Sequence, residues 1–339
     1  MNLPFVLIST LLTVLCWGAY GPLMHHGKEA MDSALRPFVG VGLAYFLIAV
    51  LVPTLKLVFT GEKGHWQRNG AILSLMAGAV GALGALGVIY AFKFGGSPVY
   101  VMPLVFGGAP VINTIVTMGL SGTYRQVNLI FLIGVVTVVL GAAGVLYFKP
   151  APKPHAAPTT PTEVVAKDSK PAPSMSLIYG SIAVAVFCWG SYGPVLHVGQ
   201  SKMGGSRLRP FLCVGIAYFV IAVALPLIMM SVVKESGEWN QPGLGWSLAG
   251  GAAGAIGALG IILAFNFGGR PIFVMPLVFG LAPVMNSVTS ITEAGSWGMI
   301  RPEFVIALVI TICGAVTVLV FAPKPGKPGV PVTPQATLT

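Results

Sequence analysis

The sequence predicts an all-α integral membrane protein, with ten transmembrane helices arranged as two inverted five-helix repeats. Three observations carry this prediction: an apolar composition with few charges, ten apolar stretches long enough to cross a bilayer, and a set of motifs that occurs twice along the chain. The chain is therefore expected to fold in lipid, with a second half that resembles its first.

The composition indicates lipid as the solvent. Of the 339 residues, 55% are hydrophobic and 8% are charged, and the mean hydropathy is +0.86. A soluble domain usually carries about 25% charged residues, so these few charges could not cover a water-exposed surface. The net charge of +10 does not indicate a nucleic-acid partner, because the 19 Lys and Arg residues are scattered singly between apolar runs and form no basic helix or patch.

Ten apolar stretches reach the length of about 20 residues that a transmembrane helix needs. They are 4–24, 36–59, 70–94, 98–120, 127–148, 176–197, 209–233, 244–267, 271–292 and 303–322. The first stretch lacks the basic start of a signal peptide and contains a motif that returns later in the chain. We therefore interpret it as part of the folded protein.

The two halves of the chain match openly. The repeated segments are CWGAYGP at 16–22 with CWGSYGP at 188–194, LRPF at 35–38 and 208–211, and VMPLVFG at 101–107 and 274–280. The offset is 172 residues in the first motif and 173 in the later ones. Because each unit has five spans, an odd number, the second unit starts on the opposite side of the bilayer. This predicts a two-fold axis in the membrane plane, as in many secondary transporters.

The predicted domains are a first five-helix repeat at 1–148, a Pro-rich linker at 149–175, a second repeat at 176–322 and a disordered tail at 323–339. The linker and the tail are too polar and too rich in Pro to bury a core. Ten Lys and Arg residues fall on the side of the two termini, against five on the other side, or nine when the linker is counted. The positive-inside rule then favours cytoplasmic termini in the cell (inner) membrane.

Chemistry based on charge is not expected inside the spans. All nine acidic residues fall in loops or at span ends, so proton coupling through an intramembrane carboxylate is not predicted, and the coupling ion is left open. The four cysteines have no metal-ligand spacing, and no cofactor motif is found. Nothing has the Ser/His/Asp or paired-acid spacing of an enzyme, so the chain is not predicted to be one.

The first helix of each half supplies aromatic candidates for substrate binding: Trp17, Tyr20, Trp189 and Tyr192. Trp17 lies roughly 10 Å inside its span, which favours a cavity lined by these rings with a hydroxyl or an indole N–H available to a polar solute. Packing or an interfacial belt is the alternative. The prolines that follow, Pro22 and Pro194, are predicted to break or kink their helices and to free backbone carbonyls.

The fourth span of each half supplies the other candidates. Met102, Phe106, Met275 and Phe279 would form soft apolar walls, and Pro103, Pro110, Pro276 and Pro283, with Pro22 and Pro194, are candidate hinges. Asn113 and Asn286 are amides inside lipid and must find a partner, either another helix or a substrate hydroxyl. The Gly runs of the third spans predict close helix packing or sliding. Arg36 and Arg209 are expected to snorkel to lipid headgroups, with an anionic substrate as the alternative.

With two five-span units, the pairs Trp17-Gly18 and Trp189-Gly190, Gly-rich third spans and Pro-rich fourth spans, the chain resembles the drug/metabolite transporter superfamily, including its EamA-like carriers. The resemblance covers all but the linker and the tail. It implies ten helices around a central cavity and alternating access. We therefore expect a secondary transporter for a small polar metabolite that is sugar-, nucleobase- or ureide-like. An exporter of amino acids or drug-like metabolites, a channel on the same scaffold and a scaffolding protein are the alternatives.

Overall fold

The computed structural model describes residues 2–122, 124–148, 173–232, 235–269, 271–293 and 295–322. Most of the predicted linker and the whole predicted tail lie outside these ranges. Ten long helices fall inside them: α1 Leu3–Met31, α2 Leu35–Phe59, α3 Arg68–Lys93, α4 Pro98–Ser121, α5 Leu129–Tyr147, α6 Met175–Lys202, α7 Leu208–Val232, α8 Gln241–Asn266, α9 Pro271–Glu293 and α10 Pro302–Val320. Two short 3₁₀ turns precede α5 and α10, at Tyr124–Gln126 and Trp297–Met299.

Nine of these helices, all except α9, are long and apolar enough to cross a membrane, counted over the described part of the chain. This confirms the prediction of an all-α integral membrane protein. The predicted span ends lie within a few residues of the helix ends, except at α1, which continues seven residues past position 24 to Met31. The difference arises because hydropathy marks where the hydrocarbon ends, whereas backbone hydrogen bonding can extend the helix beyond it.

The core lies between the two halves of the chain. Helix α1 packs along α8, and its counterpart α6 packs along α3; α5 packs along α10, and α2 against α7. The contacts are reciprocal down to single residues. A Cβ at Gly141 would meet Thr311, and a Cβ at the equivalent Gly314 would meet Val138, the equivalent of Thr311. Such reciprocity is the signature of a two-fold interface.

Helices α2 and α7 each contain one wide, π-helical turn at equivalent positions, Leu47–Leu51 and Val220–Ala224. Pro53 and Pro226 follow them and cannot donate a backbone hydrogen bond to the turn before, so the π turns fall where the α-helical pattern loses a donor. Each turn presents a fully buried alanine to a glycine of the other half, Ala49 to Gly215 and Ala222 to Gly42. Neither turn was predicted from the sequence, although the matched prolines Pro53 and Pro226 signal them.

Candidate functional site

Both tryptophans of the repeated CWG motif bridge the two halves. The indole N–H of Trp17 in α1 donates to the carbonyl of Gly254 in α8 at 3.2 Å. The indole N–H of Trp189 in α6 donates to the carbonyl of Gly81 in α3 at 3.0 Å. Gly81 and Gly254 are equivalent positions, so the two bonds are two-fold copies of each other. The prediction that an indole N–H is available to a solute is therefore wrong, whereas its alternative, an available tyrosine hydroxyl, stays a prediction. The two indoles offer their ring surfaces instead.

The glycine runs of α3 and α8 make room for these rings. A Cβ at Gly84 would overlap the Trp189 ring, and a Cβ at Gly257 would overlap the Trp17 ring. Along α3 the contact moves from α7 at Gly78 to α6 at Gly87. The small positions therefore wind around the helix, as their three-residue spacing predicts, and the prediction of close packing is confirmed.

Five aromatic rings drawn alternately from the two halves of the protein form a continuous row, and we call them the aromatic chain. Its neighbouring centroids are 6.4 Å apart for Trp17 and Phe279, 6.5 Å for Phe279 and Phe106, 6.3 Å for Phe106 and Trp189, and 5.7 Å for Trp189 and Tyr20. The structure thus brings together predicted site residues that come from α1, α4, α6 and α9. Trp17, Trp189 and Phe279 are only half-buried.

A tyrosine pair that the sequence analysis missed adjoins the aromatic chain. Tyr45 of α2 and Tyr218 of α7 stack face to face at equivalent positions. Predicted Tyr20 lies beside Tyr45 against Gly254, and predicted Tyr192 lies beside Tyr218 against Gly81. The four rings therefore meet where the halves meet. The repeated spacing of Tyr45 and Tyr218 in the two halves was the available signal.

Asn286 supplies a hydrogen bond that the backbone of α1 lacks at Pro22. Its side chain is fully buried, and its Nδ2 donates to the Gly18 carbonyl at 3.0 Å. That carbonyl lacks its α-helical donor because the residue four positions later is Pro22, which has no N–H. Helix α1 is continuous through Pro22, so the predicted break does not occur. The predicted freeing of a carbonyl does occur, and the amide supplies the missing donor.

Among the residues that the structure describes, the equivalent bond is not formed in the other half. Asn113 is half-buried, and its Nδ2 lies 2.8 Å from where a Cβ of Gly193 would stand. Over the described ranges, however, no hydrogen bond joins Asn113 to Gly190, the carbonyl that Pro194 leaves without a donor. Helix α6 is continuous through Pro194 as well.

This difference extends to the neighbouring side chains. Around Asn286 the side chains are tightly enclosed, whereas around Asn113 the equivalent side chains are half-buried. The pairs, enclosed member first, are Tyr20 and Tyr192, Met24 and Leu196, Phe92 and Phe265, and Met102 and Met275. Two nearly identical sets of residues thus occupy different environments in one structure.

The predicted hinge prolines all lie inside helices that continue through them. Pro22, Pro103, Pro110, Pro194 and Pro283 are buried, and Pro276 lies within α9. Their role as hinges stays a prediction.

Two carboxylates outside the spans tie the halves together, and we call these sites the helix-start clamps. Glu235, after α7, accepts hydrogen bonds from Ser33 Oγ at 2.6 Å, Ala34 N at 3.0 Å and Leu35 N at 3.2 Å at the start of α2. Glu62, after α2, accepts from Ser206 Oγ at 2.5 Å, Arg207 N at 3.0 Å and Leu208 N at 3.3 Å at the start of α7. Each carboxylate satisfies N–H groups that a helix start leaves without partners. The matched positions of Glu62 and Glu235 in the repeat could have revealed them.

The clamps also correct the prediction for the two arginines. Arg36 NH1 lies 3.7 Å from Glu235, and Arg209 NH1 lies 3.6 Å from Glu62, with each arginine side chain 14% exposed. They pair with carboxylates rather than snorkelling to lipid, because a buried carboxylate requires a counter-charge. That pairing also leaves little attraction for an anionic substrate.

The electrostatics of the two clamps differ. Burial raises the pKa of Glu235, but the hydrogen bonds from Ser33, Ala34 and Leu35 and the charge of Lys93 outweigh burial, so the pKa is lowered. Lys93 Nζ lies 3.4 Å from the Glu235 carboxylate. In the other clamp the equivalent of Lys93 is Asn266, which accepts from Arg207 NH1 at 2.7 Å. The two clamps therefore differ in chemistry at one pair of equivalent positions, Lys93 and Asn266.

Neither a protein-family model nor a curated protein sequence matches this chain.

Proposed function

We propose that this protein is a secondary transporter that carries a small, neutral, polar metabolite by alternating access, on two inverted five-helix repeats of the drug/metabolite transporter kind. The observation that carries the proposal is the unequal exposure of equivalent residues on the two sides of the aromatic chain. A protein whose halves are nearly alike in sequence but unlike in packing has a second arrangement available, with the two environments exchanged.

The clamps support the inverted arrangement. Glu235 joins the end of α7 to the start of α2, and Glu62 joins the end of α2 to the start of α7. Helices α2 and α7 therefore run antiparallel to each other. Because they are equivalent members of the two repeats, antiparallel packing implies opposite orientations in the membrane.

The enclosed and looser sides support alternating access. Met102 and Asn286 are fully buried, whereas Met275 and Asn113 are half-buried. We interpret this as a state closed on the Asn286 side and open on the Asn113 side. Exchanging the two environments would close the Asn113 side and open the other.

The chemistry of the aromatic chain favours a neutral solute. Aromatic rings and methionines provide apolar contact, and the amides of Asn113 and Asn286 provide hydrogen bonds. The acidic side chains sit outside the aromatic chain, and two of them are committed to the clamps. A sugar-, nucleobase- or ureide-like compound matches rings for stacking together with a few fixed polar groups.

Uptake into proteoliposomes tests the proposal. The full chain is reconstituted and offered radiolabelled D-glucose, uracil, allantoin and glycine, with and without a proton or sodium gradient. Saturable uptake of a neutral ring compound that accelerates when the same compound is loaded inside supports a carrier. Non-saturable flux with single-channel conductance indicates a channel, and preferred uptake of glycine indicates an amino acid carrier; either result contradicts the proposal.

A further inference from the structure

We propose that Asn113 and Asn286 alternate between two roles. In one role, the amide closes the proline gap of the first helix in the opposite repeat, which means that it donates to the carbonyl that proline leaves without a backbone donor. In the other role, the amide binds the transported solute. In this structure Asn286 closes the gap and Asn113 is the solute-binding amide. The inference rests on the proposed transport function for its second role only.

The first role follows from backbone chemistry. Pro22 removes the donor that the Gly18 carbonyl would have in an uninterrupted helix. A carbonyl without a donor is costly where no water is present. Asn286 supplies the donor at 3.0 Å and holds α9 against α1, so this bond stabilises the enclosed side of the protein.

The second role follows from the missing copy of that bond. Pro194 likewise leaves the Gly190 carbonyl without its α-helical donor. Within the described ranges, however, Asn113 does not donate to that carbonyl. The Asn113 amide and the Gly190 carbonyl are thus the two polar groups that the missing bond leaves available to a solute.

Together these groups define the class of solute. The Asn113 amide offers a donor and an acceptor, and the Gly190 carbonyl offers an acceptor. A neutral compound that carries a donor and an acceptor side by side satisfies both, as an amide, a urea group or a pair of adjacent hydroxyls does. A compound that has acceptors only would leave the Gly190 carbonyl without a partner.

The enclosed amide is also poised for exchange. The Oδ1 of Asn286 is buried and has no hydrogen-bond partner in the described part of the chain. Leaving a buried acceptor unpaired carries a cost, which favours opening this side when a donor-bearing solute arrives there. On opening, Asn286 would release Gly18 and take the role that Asn113 has here, while Asn113 closes the gap at Pro194.

A double-mutant comparison without ligand tests the first role. Purified full-length protein is melted as wild type, Asn286→Leu, Pro22→Ala and the double variant, alongside the matched set Asn113→Leu, Pro194→Ala and its double. Asn286→Leu should lower the melting temperature by about 2–4 °C. Adding Pro22→Ala should restore most of this loss, because an alanine N–H then serves Gly18. The Asn113 set should show no such rescue.

Rescue of equal size in both sets, or no rescue in the Pro22 set, would overturn the exchange of roles. The second role is tested by uptake of whichever of D-glucose, uracil or allantoin the wild type accumulates. Asn113→Leu should reduce that uptake at least tenfold, while the lipid-facing control Ile115→Leu should leave it unchanged. Should uracil be the transported probe, 1,3-dimethyluracil should not compete, because it has no N–H donor.

The two tests separate two kinds of failure. No uptake of any probe by the wild type overturns the solute role together with the proposed function, while the melting series still decides whether the amides close the proline gaps. Normal uptake by Asn113→Leu overturns the solute role alone.

Discussion

The rings of Tyr45 and Tyr218 stack with their centroids 3.8 Å apart and their planes 7° apart. The two residues are equivalent members of the repeat, so each ring packs against its own counterpart. Such self-pairing is expected only where a two-fold axis passes between equivalent groups. The stack therefore marks the centre of the interface between the halves, and changes there act on both halves at once.

Removing one ring of this stack should destabilise the protein strongly. Tyr218→Ala deletes a ring that is 6% exposed and leaves a cavity against Tyr45, a change that typically costs about 3–5 kcal/mol. The matched control Tyr147→Ala removes a ring that is 83% exposed and should have little effect. Thermal melting of both variants checks this expectation, and similar losses for the two would contradict a central role for the stack.

The glycines that contact the tryptophan rings, Gly84 and Gly257, should not tolerate an added methyl group. Gly257→Ala would push the Trp17 ring away from its hydrogen bond to Gly254, and overpacking of this kind costs about 1–3 kcal/mol. We expect a lower melting temperature and loss of uptake. Gly245→Ala in the same helix is the control, since a Cβ there meets nothing within 4 Å; it should be neutral or slightly stabilising. An unchanged Gly257→Ala variant would show that a glycine is not required at this position.

The Glu235 clamp should depend on pH in a defined direction. Because the pKa of this carboxyl is lowered from its ordinary 4.5 in the folded protein, its stabilisation is present in full above pH 4.5 and is lost as the pH falls through the lower, folded-state pKa. Glu235→Gln should therefore lower the free energy of unfolding at pH 7 by about 1–3 kcal/mol, and the melting temperature with it. The difference in melting temperature between the variant and the wild type should become smaller as the pH falls below 4.5.

The control for the clamp is Glu238→Gln in the same loop. The Glu238 side chain is exposed, so its neutralisation should change stability by less than about 0.5 kcal/mol. Melting curves of wild type and both variants between pH 7 and pH 3.5 provide the measurement. A gap between Glu235→Gln and wild type that stays constant over this range would contradict the clamp.

The unequal exposure of the two sides should appear in chemical labelling. In a background with Cys16, Cys188, Cys213 and Cys313 replaced by Ala, the variants Met275→Cys and Met102→Cys place one thiol at each of two equivalent positions. Met275 is half-buried and Met102 is fully buried, so a membrane-impermeant thiol reagent should label the first at least tenfold faster. Equal rates would mean that the protein in solution does not favour the state described here.

The placement of the helices was predictable to a large degree. Apolar length and punctuation by Gly, Pro and charge located all ten helices, because burial in lipid imposes a local pattern on the chain. Whether Pro22 breaks helix α1 was not predictable in the same way. A proline removes one donor locally, but whether the helix stops there depends on a distant partner, and here Asn286 supplies one.

In the candidate site, too, the positions of the residues were predictable from the sequence, whereas their partners were not. The repeated motifs pointed to Trp17, Trp189, Asn113 and Asn286, because a duplicated sequence marks the same positions twice. The motifs did not show that both indoles donate to glycine carbonyls across the interface, since the acceptors are backbone groups that leave no side-chain signal. The clamps of Glu62 and Glu235 were missed for a related reason, because their partners are the starts of helices in the other half.

By itself the sequence determined that the chain is a helical membrane protein made of two like halves. Hydropathy and duplication are properties of the chain and need no knowledge of contacts. Only the tertiary structure decided which side is enclosed, with Asn286 bonded to the Gly18 carbonyl and, among the described residues, no matching bond from Asn113 to the Gly190 carbonyl. Two matching motifs carry equal information, so the difference between them arises from packing in the assembled protein.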